Sequence, residues 1–188
     1  MSRQIHEFTA PDRFVVGTVG MPGERTFFLQ ARDGNAVTSV ALEKAQVSAL
    51  ADRIDQLLDE VSGSRVAPEE VPDSAPAHLA DNRPLDVPIV EEFRVGAMAL
   101  GWDDASHKVV IEAHAVAEED EEIPDIADDS VEGPDTLRVW LTPVHARAFA
   151  ERARFVVAAG RPPCPFCSQP LDPDGHICPR ANGYRRRG

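Results

Sequence analysis

The sequence has only three cysteines, no long apolar run and no apolar segment near its N-terminus. Three thiols cannot all pair with one another, and no stretch of eighteen apolar residues is present that would predict a membrane span. The opening MSRQIHEFTAPDRF lacks the hydrophobic region of a secretory signal. Together these absences predict reduced thiols and a cytoplasmic location.

Basic side chains are also scarce, with 19 Lys and Arg against 32 Asp and Glu and a net charge of −13. An acidic chain of this kind argues against a non-specific nucleic-acid binder. The charge is uneven, because residues 91–135 carry a net −13 and residues 136–188 carry a net +6. The basic C-terminal segment keeps an acidic partner open as an alternative.

The three cysteines lie together with a histidine in the segment CPFCSQPLDPDGHICPR, as Cys164, Cys167, His176 and Cys178. Three thiolates and one imidazole form a known closed ligand set for structural zinc. Cys-x₂-Cys spacing lets two sulfurs reach one ion from a tight turn, and residues two apart on a strand point the same way. The pattern predicts one zinc ion in a zinc-ribbon-like module over residues 161–188. The alternative is a proline-rich tail with three reduced thiols.

Two parts of the chain show the same predicted order of elements, β-β-β-α. In residues 1–63 the strands are expected at 13–17, 26–30 and 36–42, followed by a helix over 43–61. In residues 91–160 they are expected at 93–96, 109–113 and 139–141, followed by a helix over 144–159. Thr142 and Pro143 provide a typical helix start, with Thr as N-cap and Pro at the first helical position.

The third strand and the helix of the two halves align without gaps, since VAL leading into ADR in the first half matches VWL leading into AER in the second. This favours a duplicated unit over a chance resemblance of two such units. Short strands followed by one long helix in each half predict an α+β fold, with an antiparallel sheet and both helices on one face.

Two further segments lie outside this repeated pattern. Residues 64–90 contain five prolines and predict an extended linker over the surface. Residues 118–135, between the second and third strands of the second half, contain ten carboxylates and no basic residue. A solvated, partly disordered loop is the simplest interpretation of this acidic insertion. The sharper hypothesis is that it covers the basic C-terminal segment or mimics a nucleic-acid backbone.

Three other groups of residues are candidate sites. The glycine-rich stretch 17–23 lacks the Gly-Lys-Ser/Thr ending of a P-loop and predicts a hairpin loop. A carboxylate beside a histidine can act as an acid–base pair, or can simply form a polar turn. The residues of this kind are Asp103, Asp104, His107 and His114.

The final basic cluster can bind a polyanion, or can be a solvated terminus. Its members are Arg180, Arg185, Arg186 and Arg187.

The two ends of the chain carry a family resemblance. The opening MSRQIHEFTAPDRFVVGTVGMPGERTFFLQARDG and the ending CPFCSQPLDPDGHICPRANGY resemble an actinobacterial family classed only as a domain of unknown function, also labelled a repeat protein. The resemblance covers essentially the whole chain and implies no activity. It places the family's C-terminal Cys/His pattern at Cys164, Cys167, His176 and Cys178. The genes of the family resemble those of a histidine phosphatase-like and a lipid-kinase-like protein in distribution, which implies a shared pathway.

Three functions are consistent with these patterns. The first is a non-enzymatic cytoplasmic adaptor that presents the zinc module and the basic tail to a macromolecular partner, expected to be a protein. The second is a nucleic-acid binder that uses the basic C-terminal module, by analogy of fold with the PUR-alpha and Whirly proteins. The third is an enzyme, with the acidic insertion as a lid over the Asp103–His107 hairpin. No catalytic residue is assigned, and zinc is the one expected cofactor.

Overall fold

A computed structural model describes residues 2–63, 71–118 and 121–160, together with Cys164, Phe166 and Cys178. The described elements are seven strands and two α-helices, in the order β1 (Ile5–Phe8), β2 (Arg13–Val19), β3 (Thr26–Asp33), β4 (Ala36–Leu42), α1 (Lys44–Ser62), β5 (Glu91–Asp103), β6 (Lys108–Ala115), β7 (Thr136–Leu141) and α2 (Pro143–Ala158). A one-turn 3₁₀ helix at Ala77–Leu79 interrupts the segment between the halves. The protein is therefore a mixed α+β fold, and β1 is a strand that the sequence patterns did not predict.

The seven strands form one sheet in the order β1-β7-β6-β5-β4-β3-β2. Pairing is antiparallel within each half, but β4 pairs with β5 and β1 pairs with β7 in parallel. The expectation of an antiparallel sheet is therefore wrong where the halves meet. The reason is that α1 follows β4 directly, and a strand that returns after a helical crossover runs parallel to the strand that preceded it.

The sheet curves strongly around the helices. Strands β1 and β2 lie at its opposite edges, although only residues 9–12 separate them in the chain. A flat sheet of this width would place the edges roughly 29 Å apart, since neighbouring strands lie ~4.8 Å apart. The five Cα steps from Phe8 to Arg13 span at most about 18 Å even when fully extended. The two edges must therefore approach each other, which is consistent with the contacts that β1 also makes with β3.

Both helices pack on one face of the sheet, as expected. Alternate residues of the strands, such as Val16, Leu29, Val40 and Ile111, point into a single apolar core. The helices contribute one apolar stripe each, formed by Val47, Leu50, Ala51, Ile54 and Leu58 of α1 and by Ala146, Phe149, Ala150 and Ala153 of α2. The core therefore joins the two halves of the chain.

The helix starts follow from local capping. The Glu43 backbone N–H donates to Gln46 Oε1 at 2.8 Å, so the residues form part of a capping box at the start of α1. Thr142 accepts a hydrogen bond from the His145 backbone N–H and caps α2, with Pro143 at its first position. The predicted start signal of α2 is confirmed. Neither of these helices combines the length and the apolar character needed to cross a bilayer.

The segment between the halves does not simply run over the surface. Leu85 is buried against Val15, Phe28 and Ala41 on the sheet face opposite to the helices. A methyl group added at Gly17 would lie 2.6 Å from Leu85, so glycine at this position makes room for the leucine. In the second half, Ile126 lies over Gly101 in the same way, with its Cδ1 3.0 Å from the position that a Cβ at Gly101 would take. The expectation of a surface linker is therefore wrong around Leu85, because its apolar side chain is buried against the sheet.

Candidate functional site

Cys164 and Cys178 lie side by side, and both side chains are buried. Their Sγ atoms are 3.8 Å apart. This is too long for a disulfide, whose S–S bond is about 2.05 Å. Two thiolates that bind one zinc ion tetrahedrally at ~2.3 Å lie about 3.8 Å from each other. The observed separation therefore fits two sulfurs that share a zinc ion.

A backbone donor also points at the first sulfur, because the Phe166 N–H lies 3.4 Å from Cys164 Sγ. A hydrogen bond to sulfur favours the thiolate, which is the form that binds metal. Cys167 and His176 lie outside the described residues, so the four-ligand set stays a prediction. Within the described part of the chain, no group of three or more His, Cys, Asp or Glu is arranged to hold a metal ion.

A buried ion pair lies on the sheet face opposite to the helices. Glu112 of β6 and Arg138 of β7 are cross-strand neighbours with side chains 0% and 2% exposed. Arg138 Nε donates to Glu112 Oε1 at 2.5 Å. Burial alone would lower the pKa of Arg138, but hydrogen bonds to Asp129 and Glu112 raise it. Each charge is thus stabilised by the other in a region that water does not reach.

His114 extends this cluster by two positions along β6 and is fully buried. Its Nδ1 lies 3.0 Å from Thr136 Oγ1, which also accepts a hydrogen bond from Arg3 Nε at 3.2 Å. Its Nε2 faces Glu112 Oε2 at 3.4 Å. Burial lowers the pKa of His114 despite the opposing effect of Glu112, so the ring is neutral near pH 7. The buried side chains cannot meet a substrate in this conformation, which favours a structural role.

The acidic insertion covers this cluster. Arg138 Nη2 donates to the Asp128 carbonyl at 2.7 Å, and Arg138 Nη1 donates to Asp129 Oδ1 at 2.6 Å. The Ala127 N–H donates to Glu112 Oε1 at 3.0 Å. The expectation of a solvated loop without fixed contacts is therefore wrong for residues 127–129, whose backbone is held on β6 and β7.

The basic cluster that this insertion was expected to cover, formed by Arg180, Arg185, Arg186 and Arg187, lies outside the described residues. Covering of that cluster stays a prediction.

The Asp103–His107 hairpin has the geometry of a polar turn. Asp103 Oδ2 accepts a hydrogen bond from the Ser106 N–H at 2.7 Å, and this interaction lowers the pKa of Asp103. His107 adopts a φ of 53°, as turn residues do. His114 lies six positions beyond Lys108 on β6, about 20 Å away at ~3.3 Å per residue. The structure therefore does not bring His114 together with Asp103, Asp104 or His107.

Two arginines hold the segment between the halves against the free edge of β2. Arg13 Nε donates to Asp81 Oδ2 at 2.7 Å and Arg13 Nη2 donates to the Pro84 carbonyl at 2.9 Å. Arg152 of α2 donates to the Val16 carbonyl at 2.9 Å and also hydrogen-bonds Asp81. Asp81 thus links a strand and a helix that are far apart in the chain. Arg152 also satisfies the Val16 carbonyl, which lies on an edge strand that another chain could otherwise pair with.

Replacing Asp81 by asparagine is expected to lower the free energy of unfolding by about 2 kcal/mol at pH 7, because charged hydrogen bonds to arginine are lost. Burial alone would raise the pKa of Asp81, but hydrogen bonds from Arg13 and Arg83 hold it well below its usual range. A carboxylate with a depressed pKa stabilises the fold above its unfolded pKa, and this contribution is lost as the pH falls below ~4.

Urea unfolding at pH 7 and pH 3 measures this effect. The difference between wild type and Asp81→Asn should shrink at the lower pH, and Asp104→Asn in the exposed turn should change neither value. A difference of equal size at both pH values would contradict the role of the Asp81 carboxylate.

The sequence patterns named His114 only together with the Asp103 turn, and they missed Glu112 and Arg138. Glu112, His114 and Arg138 stand inside apolar strands, and their alternation places them on one face. That spacing could have indicated a buried pair. No comparable signal marks Arg13 and Asp81, which are 68 residues apart.

Comparison with known proteins adds a family. No curated protein and no solved structure matches the chain. A family model described as "Protein of unknown function (DUF3090)" matches residues 6–178. This match includes both halves of the sheet, the acidic insertion and the segment between Cys164 and Cys178. Since it covers most of the chain, the protein belongs to the DUF3090 family of proteins of unknown function.

Proposed function

We propose that the protein is a non-enzymatic zinc-binding interaction protein, which holds one zinc ion with Cys164, Cys167, His176 and Cys178. The observation that carries the proposal is the 3.8 Å separation of the buried Cys164 and Cys178 sulfurs. A zinc ion on a complete set of four protein ligands has no open position for a substrate, so its role is to stabilise a surface. In this proposal a macromolecular partner binds to that surface.

The distribution of charge favours a protein as this partner. Residues 1–160 contain 14 basic and 30 acidic side chains, a net charge of −16. Such a body repels nucleic acid at long range. Residues 161–188 contain five basic and two acidic side chains, a net charge of +3. A partner that binds the zinc module must therefore tolerate the acidic body beside it, which a protein with mixed charge does better than a polyanion.

We also propose that the two halves arose by duplication. Gln30 Nε2 donates to Ser39 Oγ at 3.0 Å, and these residues are cross-strand neighbours on β3 and β4. Glu112 and Arg138, which lie 82 and 99 residues later, are neighbours in the same way on β6 and β7. One buried hydrogen-bonded pair in each half supports a common origin. The Gly17–Leu85 and Gly101–Ile126 contacts add a second matching pair.

The register changes one detail of this correspondence. Val15 lies opposite Gln30, and Ala99 lies opposite Glu112, so equivalent positions of the first strands are 84 residues apart. The expected match of residues 14–17 with residues 93–96 is therefore shifted along β5.

The interaction role is tested by capture from a native extract after nuclease treatment. Full-length protein, Cys178→Ser and His78→Ala would be compared, because His78 is an exposed histidine outside the zinc set. We expect a protein partner to be recovered with wild type and His78→Ala, and to be reduced about tenfold with Cys178→Ser. Equal recovery with Cys178→Ser would contradict the proposal. Recovery that nuclease treatment abolishes would favour the nucleic-acid binder instead.

A further inference from the structure

A groove of about 370 Å³ lies between α1 and β5. At the start of the helix, Gln46 Nε2 donates to the Val95 carbonyl at 3.2 Å and holds the two elements together. From residue 49 onward the groove opens between them, and its apolar lining is formed by Leu50, Leu57, Met98 and Leu100. Met98 and Leu100 pack against the core but stay partly exposed. Strand β5 therefore presents apolar side chains that α1 does not fully cover.

The α1 side of this groove carries two opposite charges around one leucine. Arg53, Leu57 and Glu60 are three or four residues apart, so they lie in one row along the helix surface. The two charged side chains are exposed and stand about 10 Å apart along the helix axis. Glu60 accepts a hydrogen bond from Gln56 at 3.1 Å, but neither charge forms an ion pair with a residue that the structure describes.

The carboxylates on the other side of α1 are already paired within the protein. Asp52, Asp55 and Asp59 form ion pairs with Arg147 and Arg154 of α2. They lie on the side of the helix opposite to the row of Arg53, Leu57 and Glu60, because an α-helix turns by 100° per residue. The row is thus the side of α1 that has charged groups left for a contact with another molecule.

We propose that this side of α1 binds a second copy of the protein, with the two α1 helices antiparallel about a two-fold axis between Gln56 and Leu57. Arg53 of each copy then faces Glu60 of the other, because both positions are equally far from the axis. Helices that pack together lie about 8–10 Å apart, a distance that an Arg–Glu pair can bridge. Burial of the apolar groove supplies affinity, and the two ion pairs fix the register.

A second copy fits this surface because the row is complementary to itself. Its order is positive, apolar, negative, and the same row read in the opposite direction supplies the matching charges. A parallel pair of helices would instead bring like charges together. The net charge of −13 opposes association, but at ~0.15 M salt this repulsion is screened beyond about 8 Å. The surface lies outside the predicted zinc set, so the proposal is independent of the interaction role proposed above.

Sedimentation equilibrium of the full-length protein under reducing conditions tests the proposal at ~0.15 M salt. Reduction prevents disulfides between copies from imitating a dimer. We expect wild type to dimerise with a Kd below about 100 µM. Arg53→Glu and Glu60→Arg should each weaken dimerisation about tenfold or more, because like charges then face each other. Glu24→Arg is the matched control, since it changes an exposed hairpin carboxylate and alters the net charge as Glu60→Arg does. It should dimerise at least as well as wild type.

Two combinations test the two-fold arrangement itself. The double variant Arg53→Glu/Glu60→Arg exchanges the charges and should dimerise like wild type. An equimolar mixture of the two single variants should also dimerise, because each chain then carries the charges that the other needs. The melting temperatures of these variants should stay within a few degrees of wild type, since both positions are exposed.

The proposal is overturned if wild type is monomeric at about 100 µM, which would leave the groove to another part of the chain or to a different protein. It is also overturned if either single variant dimerises like wild type, or if either combination fails to restore the dimer.

Discussion

Replacing Arg138 by methionine is expected to destabilise the protein by about 3–5 kcal/mol, because it leaves the carboxylate of Glu112 buried without its partner. Glu112 is 0% exposed, and Arg138 also holds the backbone of the acidic insertion through Asp128. Loss of the Arg138 side chain would therefore release the insertion from the sheet and also leave the Glu112 carboxylate unpaired. Urea unfolding of the full-length protein, followed by circular dichroism, measures the effect.

Two controls separate this buried pair from an ordinary surface pair. Arg94→Met removes a pair whose side chains are 50% and 72% exposed, and should cost less than about 1 kcal/mol. Adding Glu112→Gln to Arg138→Met should recover part of the lost stability, since the unpaired charge is removed. A cost for Arg138→Met no larger than for Arg94→Met would contradict the account. A double variant no more stable than Arg138→Met would do the same.

Replacing Cys178 by serine is expected to weaken zinc binding by more than about 100-fold. Loss of a group that only supports a metal ligand typically costs 10- to 100-fold in affinity, and loss of a ligand should cost more. Cys178 is the clearest target, because its sulfur lies 3.8 Å from that of Cys164. Competition with a chromophoric chelator under reducing conditions measures the affinity.

The matched control for this substitution is His78→Ala, since His78 is exposed and lies outside the expected ligand set. It should bind zinc as wild type does. Cys167→Ser should weaken binding as strongly as Cys178→Ser if the four ligands act as one site. Unchanged affinity in either cysteine variant would remove that residue from the site.

Much of the fold follows from local patterns that the sequence carries openly. The glycine-rich stretch 17–23 marks the hairpin between β2 and β3, although residues 17–19 belong to β2 and the chain turns at residues 20–25, with Gly20 and Gly23 at positive φ. The start of α2 follows from Thr142 and Pro143 alone. Apolar residues at helical spacing place α1 within one residue of its expected bounds. In each case the deciding interaction joins residues close together in the sequence.

The features that the sequence did not reveal depend on long-range contacts. Strand β1 is only four residues long, and its parallel pairing with β7 joins residues 131 positions apart, such as Ile5 and Thr136. Leu85 packs on the sheet and fixes the segment between the halves together with the ion pairs of Asp81 with Arg13 and Arg152. None of these contacts leaves a periodic signal in the sequence, since each depends on where distant elements meet.

The candidate zinc site, in contrast, is predicted by the sequence alone. Its four expected ligands are predicted from cysteine and histidine spacing, which is a chemical signal that needs no knowledge of the fold. The polar cluster around Glu112 was not predicted as a unit, although Glu112, His114 and Arg138 share one face of adjacent strands. The acidic insertion helps such a cluster to be tolerated, because residues 127–129 supply hydrogen bonds to Glu112 Oε1 and to the Arg138 guanidinium.

X-ray absorption at the zinc edge, on full-length protein purified without chelator and under reducing conditions, shows whether the cysteines hold zinc. We expect about one zinc per chain, with three sulfur neighbours at ~2.3 Å and one nitrogen neighbour at ~2.0–2.1 Å. A shell without sulfur, or protein that contains no zinc while its cysteines are reduced, would contradict this expectation.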